Sequence, residues 1–317
     1  MKAHLVSVVV AGGVALSGCA PERFSKPVAS FSNSQSEVAE AWDASLDLYA
    51  GAERDLRNRA LFDKRRPVEM AATCETDVRV EDDAGTRLAA CQVVEKDGKL
   101  VEPGAPFRLA KPGGEIMKLI SDYAKGLEKL TSAESRKEID DATDTVAGGL
   151  SGALTVAGQP QFALAAAAAV KLGGFAYAEF FEARRYRALV RAVDTAETYL
   201  PVLAGRMAEA LQTAGNARIR KASDLGARYA KVAGPGSPGR ETNFYKAVEQ
   251  ATLVENIQRA DARATVDAML RAHKELAVAI RENKGQTKAL VEALGEFASR
   301  ADTLQKAVDG IGKEKTS

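Results

Sequence analysis

Residues 262–311 read ARATVDAMLRAHKELAVAIRENKGQTKALVEALGEFASRADTLQKAVDGI, and this stretch decides the fold. Val266, Met269, His273, Leu276, Ile280, Asn283, Thr287, Leu290, Leu294, Phe297, Ala301, Leu304, Val308 and Ile311 recur in steps of three and four. A stripe held in phase over so many turns is the mark of a coiled-coil helix. The phase runs across Gly285, so any break there is local, and the element reaches roughly 75 Å at 1.5 Å per residue. His273, Asn283 and Thr287 are polar positions in an apolar seam, which fix register or partner choice.

Upstream, Gly234-Pro235-Gly236-Ser237-Pro238-Gly239 breaks the chain. Before it, Leu189, Val193, Ala196, Leu200, Leu203, Met207 and Ala210 keep the same spacing, with a kink expected just ahead of Pro201. Arg184, Arg185, Arg187 and Arg191 read as a solvated face paired with acidic neighbours. From Thr145 to Val170 there is no charge; Gly148, Gly149, Gly152 and Gly158 precede Pro160 and an alanine run. Residues 145–181 therefore read as an apolar helical hairpin, with Gly148 and Gly152 at the small-xxx-small spacing of close-packed helices. Each arm is shorter than the roughly 20 residues that cross a bilayer, which favours a packed bundle end over insertion.

Nearer the start, Ile116, Ile120, Tyr123, Leu127 and Leu130 form a helix stripe beginning near Gly114, after a loop from Pro103. Glu138, Asp140, Asp141 and Asp144 lack the order of a calcium loop and read as a solvated helix face. Trp42, Leu46, Tyr49, Leu56 and Ala60 place a first helix over 37–67, ended by Lys64-Arg65-Arg66-Pro67, with Trp42 as a core anchor. Residues 68–110 change character: alternation around Val78 and Val80, a turn at Asp82-Gly85, a strand over Leu88–Val94, a hairpin turn at Asp97-Gly98 and a short strand at Leu100-Val101. The fold class expected is mainly α: an elongated antiparallel helical bundle or coiled coil over 111–317, with a small β-meander.

The first residues set the compartment. Lys2, an apolar run from Leu5 and the tetrad Leu16-Ser17-Gly18-Cys19 have the layout of a signal peptide. The segment resembles the lipobox of bacterial lipoproteins. That resemblance implies cleavage after residue 18, acylation of Cys19 with palmitate-type chains and a permanent anchor, because several chains engage the bilayer. In that family aspartate after the cysteine favours the inner membrane, so by the same resemblance Ala20 implies the outer membrane, facing the periplasm. Residues 19–36, rich in Ser, Pro and Asn, then read as anchor and flexible tether. In an oxidising compartment, Cys74 and Cys91, on either side of the first β-turn, read as a disulfide. Its loop is worth about 3 kcal/mol by chain entropy.

The totals of 44 basic and 43 acidic residues include Lys2, the one charge in 1–18, so the mature chain is balanced. Whole-molecule charge makes no case for nucleic acid. His273 is the mature chain's single histidine and cannot complete a zinc site alone. Phosphate-loop, nucleophile-elbow and His-Glu-x-x-His motifs are absent, so neither catalysis, cofactor nor metal is expected. The function expected is that of a non-enzymatic envelope scaffold or accessory subunit, binding another envelope protein or itself through helical surfaces. The alternative is a membrane-active protein inserting 145–181, a layout loosely similar to α-helical pore-forming toxins.

Overall fold

The computed structural model describes residues 21–63, 68–70, 79–81, 87–89, 93–95, 105–171 and 181–312, with side chains over 21–45, 112–171 and 181–308. It is mainly helical, a helical bundle. After one turn of 3-10 helix, Pro21–Phe24, come α1 (Ser25–Asp63), α2 (Ala105–Ser132), α3 (Arg136–Val156), α4 (Pro160–Lys171), α5 (Phe181–Val232), α6 (Arg240–Arg259), α7 (Ala262–Arg281) and α8 (Lys288–Gly312). Between α1 and α2 lie four short strands: β1 (Val68–Met70), β2 (Arg79–Glu81), β3 (Arg87–Ala89) and β4 (Val93–Glu95).

The tether is corrected first. Pro21 is already buried, and Phe24, Val28 and Phe31 are fully enclosed. The serines and amides between them are interface residues. The Ser36 and Ser121 hydroxyls meet at 3.0 Å, and the Gln35 side-chain amide donates to the Met117 carbonyl across the contact of α1 with α2. Helix α2 likewise starts earlier than expected and runs through Pro112. Gly113 and Gly114 there serve close approach, not a loop. A Cβ on Gly114 would lie 1.8 Å from the Trp42 indole nitrogen, and one on Gly113 would lie 2.0 Å from the Ala210 Cβ. Trp42 is fully buried, as its reading as an anchor requires.

The single 75 Å helix is the second correction. The chain reverses between α7 and α8. Asn283 takes a left-handed conformation, φ 53°, and Gly285 another, φ 63°. The Lys284 amide donates back to the Ala279 carbonyl and the Asn283 amide to the Ile280 carbonyl, the paired bonds of a Schellman cap. Thr287 caps the next helix, its hydroxyl accepting from the Leu290 amide. Asn283 and Thr287 are thus helix ends, not seam residues. The Arg271–Glu296 ion pair, at 2.7 Å, shows α7 and α8 running antiparallel.

The strands pair as two nested antiparallel ladders, β2 with β3 (Val80 opposite Leu88) and β1 with β4 (Glu69 opposite Val94). The expected turn at Asp82–Gly85, between the strands of the inner pair, lies outside the described residues. The partner of β4 lies upstream at β1, whereas a meander pairs successive strands. Leu100, Val101, Cys74 and Cys91 lie outside the described residues.

The uncharged hairpin divides at Gly158 (φ 76°) into α3 and α4. Its first arm is built into the bundle. A Cβ on Gly149 would stand 2.6 Å from the Leu119 carbonyl oxygen and 2.7 Å from the Tyr123 amide nitrogen. One on Gly126 would stand 2.7 Å from a Val146 methyl. Backbones of α2 and α3 therefore touch through Gly126 and Gly149, while Gly148 faces open space. Among the described residues, no helix is long and apolar enough to cross a membrane. We predict opposite outcomes for adjacent glycines, read by urea unfolding. Gly149→Ala destabilises by about 1–3 kcal/mol through overpacking. Gly148→Ala stabilises by about 1 kcal/mol through helix propensity.

Candidate functional site

Four helices deliver one ring each to the centre of the bundle. Phe31 comes from α1, Tyr123 from α2, His273 from α7 and Phe297 from α8, and all four are buried. Each lies on the apolar stripe of its helix, so ordinary periodicity brings them together. The Tyr123 hydroxyl and His273 Nε2 lie 2.7 Å apart. Phe31 meets the imidazole edge-on at 5.7 Å between centroids and Phe297 at the same distance. Burial pushes the imidazole down to about 4; nearby Glu197 opposes this and Arg281 adds to it. Burial, reinforced by Asp194, pushes the Tyr123 phenol well up. Both groups stay neutral near pH 7, as a hydrogen-bonded core pair does.

A clamp of charges lies beside this centre. Arg281 pairs with Glu197 at 2.5 Å and with Asp194 at 3.1 Å, and the Glu197 hydrogen bond leads in holding its guanidinium charged. The Tyr186 hydroxyl donates to the Ile280 carbonyl. Together these fasten α5 to the end of α7. Arg185 corrects the solvated reading of its cluster. It is 2 % exposed, donates to the Ala133 carbonyl at 2.7 Å and pairs with Glu22 and Glu182. Arg184 does pair outward, with Asp140 at 2.5 Å.

The acidic run on α3 is dispersed into local tasks. Lys137 holds Asp141, Lys171 holds Asp144, and Glu138 accepts from the Glu134 amide at 2.6 Å while Ser135 caps α3. The Glu134 amide is the leading cause of the lowered Glu138 carboxyl. Among the described residues no three His, Cys, Asp or Glu side chains gather as metal ligands. A shallow groove of about 560 Å³ between α1 and α8 is lined by Lys26, Ser30, Asn33, Ser34, Glu37 and Asp302, among others. It holds no histidine or cysteine.

The exposed apolar side chains stand elsewhere. No residue between Ser223 and Glu249, where α5 turns back into α6, is fully buried. On α6, Gln250 and Ile257 face α5, while Phe244, Tyr245 and Val248 are 56, 61 and 47 % exposed. The Phe244 and Tyr245 rings meet edge-on at 5.7 Å. On α4, Leu164 is largely exposed, and Phe162 packs its ring against Tyr199 of α5. The α6 patch escaped the sequence reading, although its signal was present: apolar residues fall on two faces of α6, and a helix packed chiefly against one neighbour buries one.

Cys19, Cys74 and Cys91, the residues singled out for lipidation and bridging, lie outside the described residues. No protein-family model, curated protein or solved structure matches the chain.

The buried imidazole yields a pH prediction. A free histidine titrates near 6.5. Between about 4 and 6.5 the unfolded chain binds a proton that the folded chain refuses, so the His273 contribution to stability rises with pH through this window and is level outside it. The span corresponds to about 3 kcal/mol at 1.36 kcal/mol per unit. Urea midpoints of wild type minus His273→Gln, measured from pH 4 to 7, isolate this slope; His273→Gln removes it.

Proposed function

We propose that the chain is a lipid-anchored bacterial envelope protein that works without catalysis, as a scaffold or accessory subunit for another envelope protein. The observation that carries this reading is the placement of its chemistry. The mature chain's single histidine is sealed among aromatic rings, and Val232, Phe244, Tyr245 and Val248, half of the exposed large apolar side chains among the described residues, fall where α5 turns back into α6, outside the α1–α8 groove. Side chains such as Phe244 and Tyr245 are the type that anchor protein interfaces when their surroundings are desolvated. The lipobox at Leu16-Ser17-Gly18-Cys19 supports anchoring through Cys19 and an outer-membrane, periplasm-facing location.

An elongated antiparallel bundle suits that role, since paired helices carry a contact surface away from the anchor. A Cys74–Cys91 disulfide belongs to the same reading. Cys74 falls between β1 and β2 in the chain and Cys91 between β3 and β4, and both ladders are antiparallel. A bridge there joins the two sides of the nested hairpin, and intact mass before and after reduction reports it as a gain of two hydrogens.

The test of the scaffold reading is reversible crosslinking of the native acylated protein in envelopes, followed by gentle solubilisation, pull-down and mass spectrometry. A stoichiometric partner is expected. It is lost from the double variant Phe244→Asp, Val248→Asp, whose melting temperature stays at the wild-type value because both side chains are half exposed. A partner retained at full yield by that variant refutes the α6 patch as the contact.

One observation favours a second reading, membrane activity of 145–181. Leu164 is 78 % exposed on a helix flanked by a charge-free sequence. Liposome leakage by the soluble mature chain tests it. Gly152→Arg, which would press on Leu119, abolishes leakage under that reading.

A further inference from the structure

Resting on the anchored reading above, we infer that one end of the bundle stands directly against the lipid headgroups: the face made by Pro21–Phe24, the α2–α3 connection and the α7–α8 reversal. The argument begins with the length of chain available. From Cys19 to Pro21 there are two Cα steps, at most about 7 Å. Pro21 and Phe24 are buried in the bundle, so no slack follows them. Arg23 donates to the Asn283 carbonyl at 2.7 Å, and Glu22 pairs with Arg185. The first folded turn is thus bolted to α5 and to the α7–α8 reversal. Acyl chains on Cys19 in a bilayer bring this whole end to the headgroup level.

The chemistry of the end suits that position. Lys26 in the first turn of α1, Arg136 and Lys137 in the first turn of α3, Lys284 in the reversal and Lys288 at the start of α8 are all exposed. The N-termini of α1, α3, α5 and α8 lie here, where their partial positive charge complements phosphate headgroups, along with the C-termini of α2 and α7. Carboxylates stand at the same end: Glu22 and Glu182 pair with Arg185, Glu282 with Lys284, Asp141 with Lys137 and Glu292 with Lys288, while Glu134 is exposed in the α2–α3 connection and Glu138 accepts from its amide. Among the described residues the surface that results is mostly polar, with cations and carboxylates interspersed and Val291 of α8 exposed between them. It meets the headgroups through these polar side chains. Along α5, Tyr229 is 44 residues beyond Arg185, so the α5–α6 arm carries Phe244 roughly 65 Å from the bilayer, at 1.5 Å per residue.

Lysine footprinting tests this on the protein as it exists. The acylated chain is reconstituted in phosphatidylethanolamine–phosphatidylglycerol vesicles and treated with a membrane-impermeant amine-acylating reagent. Modification at each lysine is compared with that of Cys19→Ser protein in solution. Lys26, Lys137, Lys284 and Lys288 are expected to react about fivefold more slowly on vesicles, while Lys231 and Lys246 on the far arm react at unchanged rates. Near-end lysines as reactive as the distal ones, in protein whose intact mass carries the acyl chains, overturn the docking alone. Protein without acyl mass overturns the anchoring on which it rests. A variant with ten Gly and Ser residues inserted between Ala20 and Pro21 regains solution reactivity; protection that survives the spacer overturns the role of the short linkage.

Discussion

The structure depends on the junction of Phe31, Tyr123, His273 and Phe297. Each ring arrives on a different helix, and the two phenylalanines each contribute apolar burial of roughly 2–3 kcal/mol. The hydrogen bond between Tyr123 and His273 adds what apolar packing lacks, a fixed register. Sliding α7 by one turn against α2 would leave a buried phenol and a buried imidazole both unpaired. That penalty, greater than the worth of the bond itself, holds the helices in step. The glycines then set spacing around the junction. Gly126 and Gly149 bring α2 and α3 into backbone contact, and Gly114 admits the indole of Trp42.

Much of this was legible in the sequence, and the misreadings share one cause. The stripes on α2, α5, α7 and α8 were read correctly because apolar spacing reports burial whatever the partner. Ile116, Ile120, Tyr123, Leu127 and Leu130 are all 1 % exposed or less. The same spacing is blind to direction. The seam from Val266 to Ile311 keeps phase through a reversal, because both arms of an antiparallel hairpin face one core. Only Asn283 and Gly285, with their left-handed backbones, and the capping hydroxyl of Thr287 betray the turn. Composition misled at the start of α1. Phe24, Val28, Phe31, Gln35, Val38 and Trp42 keep four-three spacing, yet the serines among them resembled a linker. Serine is tolerated there because α2 supplies partners, which no single segment can reveal.

The exposed patch on α6 was less legible than the fold. A catalytic centre announces itself by residue type, whereas a docking surface is defined by what remains uncovered after folding. Phe244, Tyr245 and Val248 look like core residues until α6 is found to have α5 as its chief neighbour. Arg185 is the converse. Within a run of arginines it reads as solvent-facing, and its burial follows from meeting the Ala133 carbonyl and Glu22, both remote in sequence.

Helix α5 continues unbroken through Pro201, and this has a mechanical consequence. The proline withholds the amide proton that the carbonyl of Glu197 would accept, so the rod is weakest there. Glu197 is also the residue whose carboxylate grips Arg281. The weak point is therefore braced from outside by the end of α7. Beyond it roughly 47 Å of helix extends to Val232, at 1.5 Å per residue. A sideways load on Phe244 or Tyr245 turns this segment as a lever, with its fulcrum at the Glu197–Arg281 clamp. Torque applied at the tip is delivered to the α7–α8 reversal, at the opposite end of the molecule.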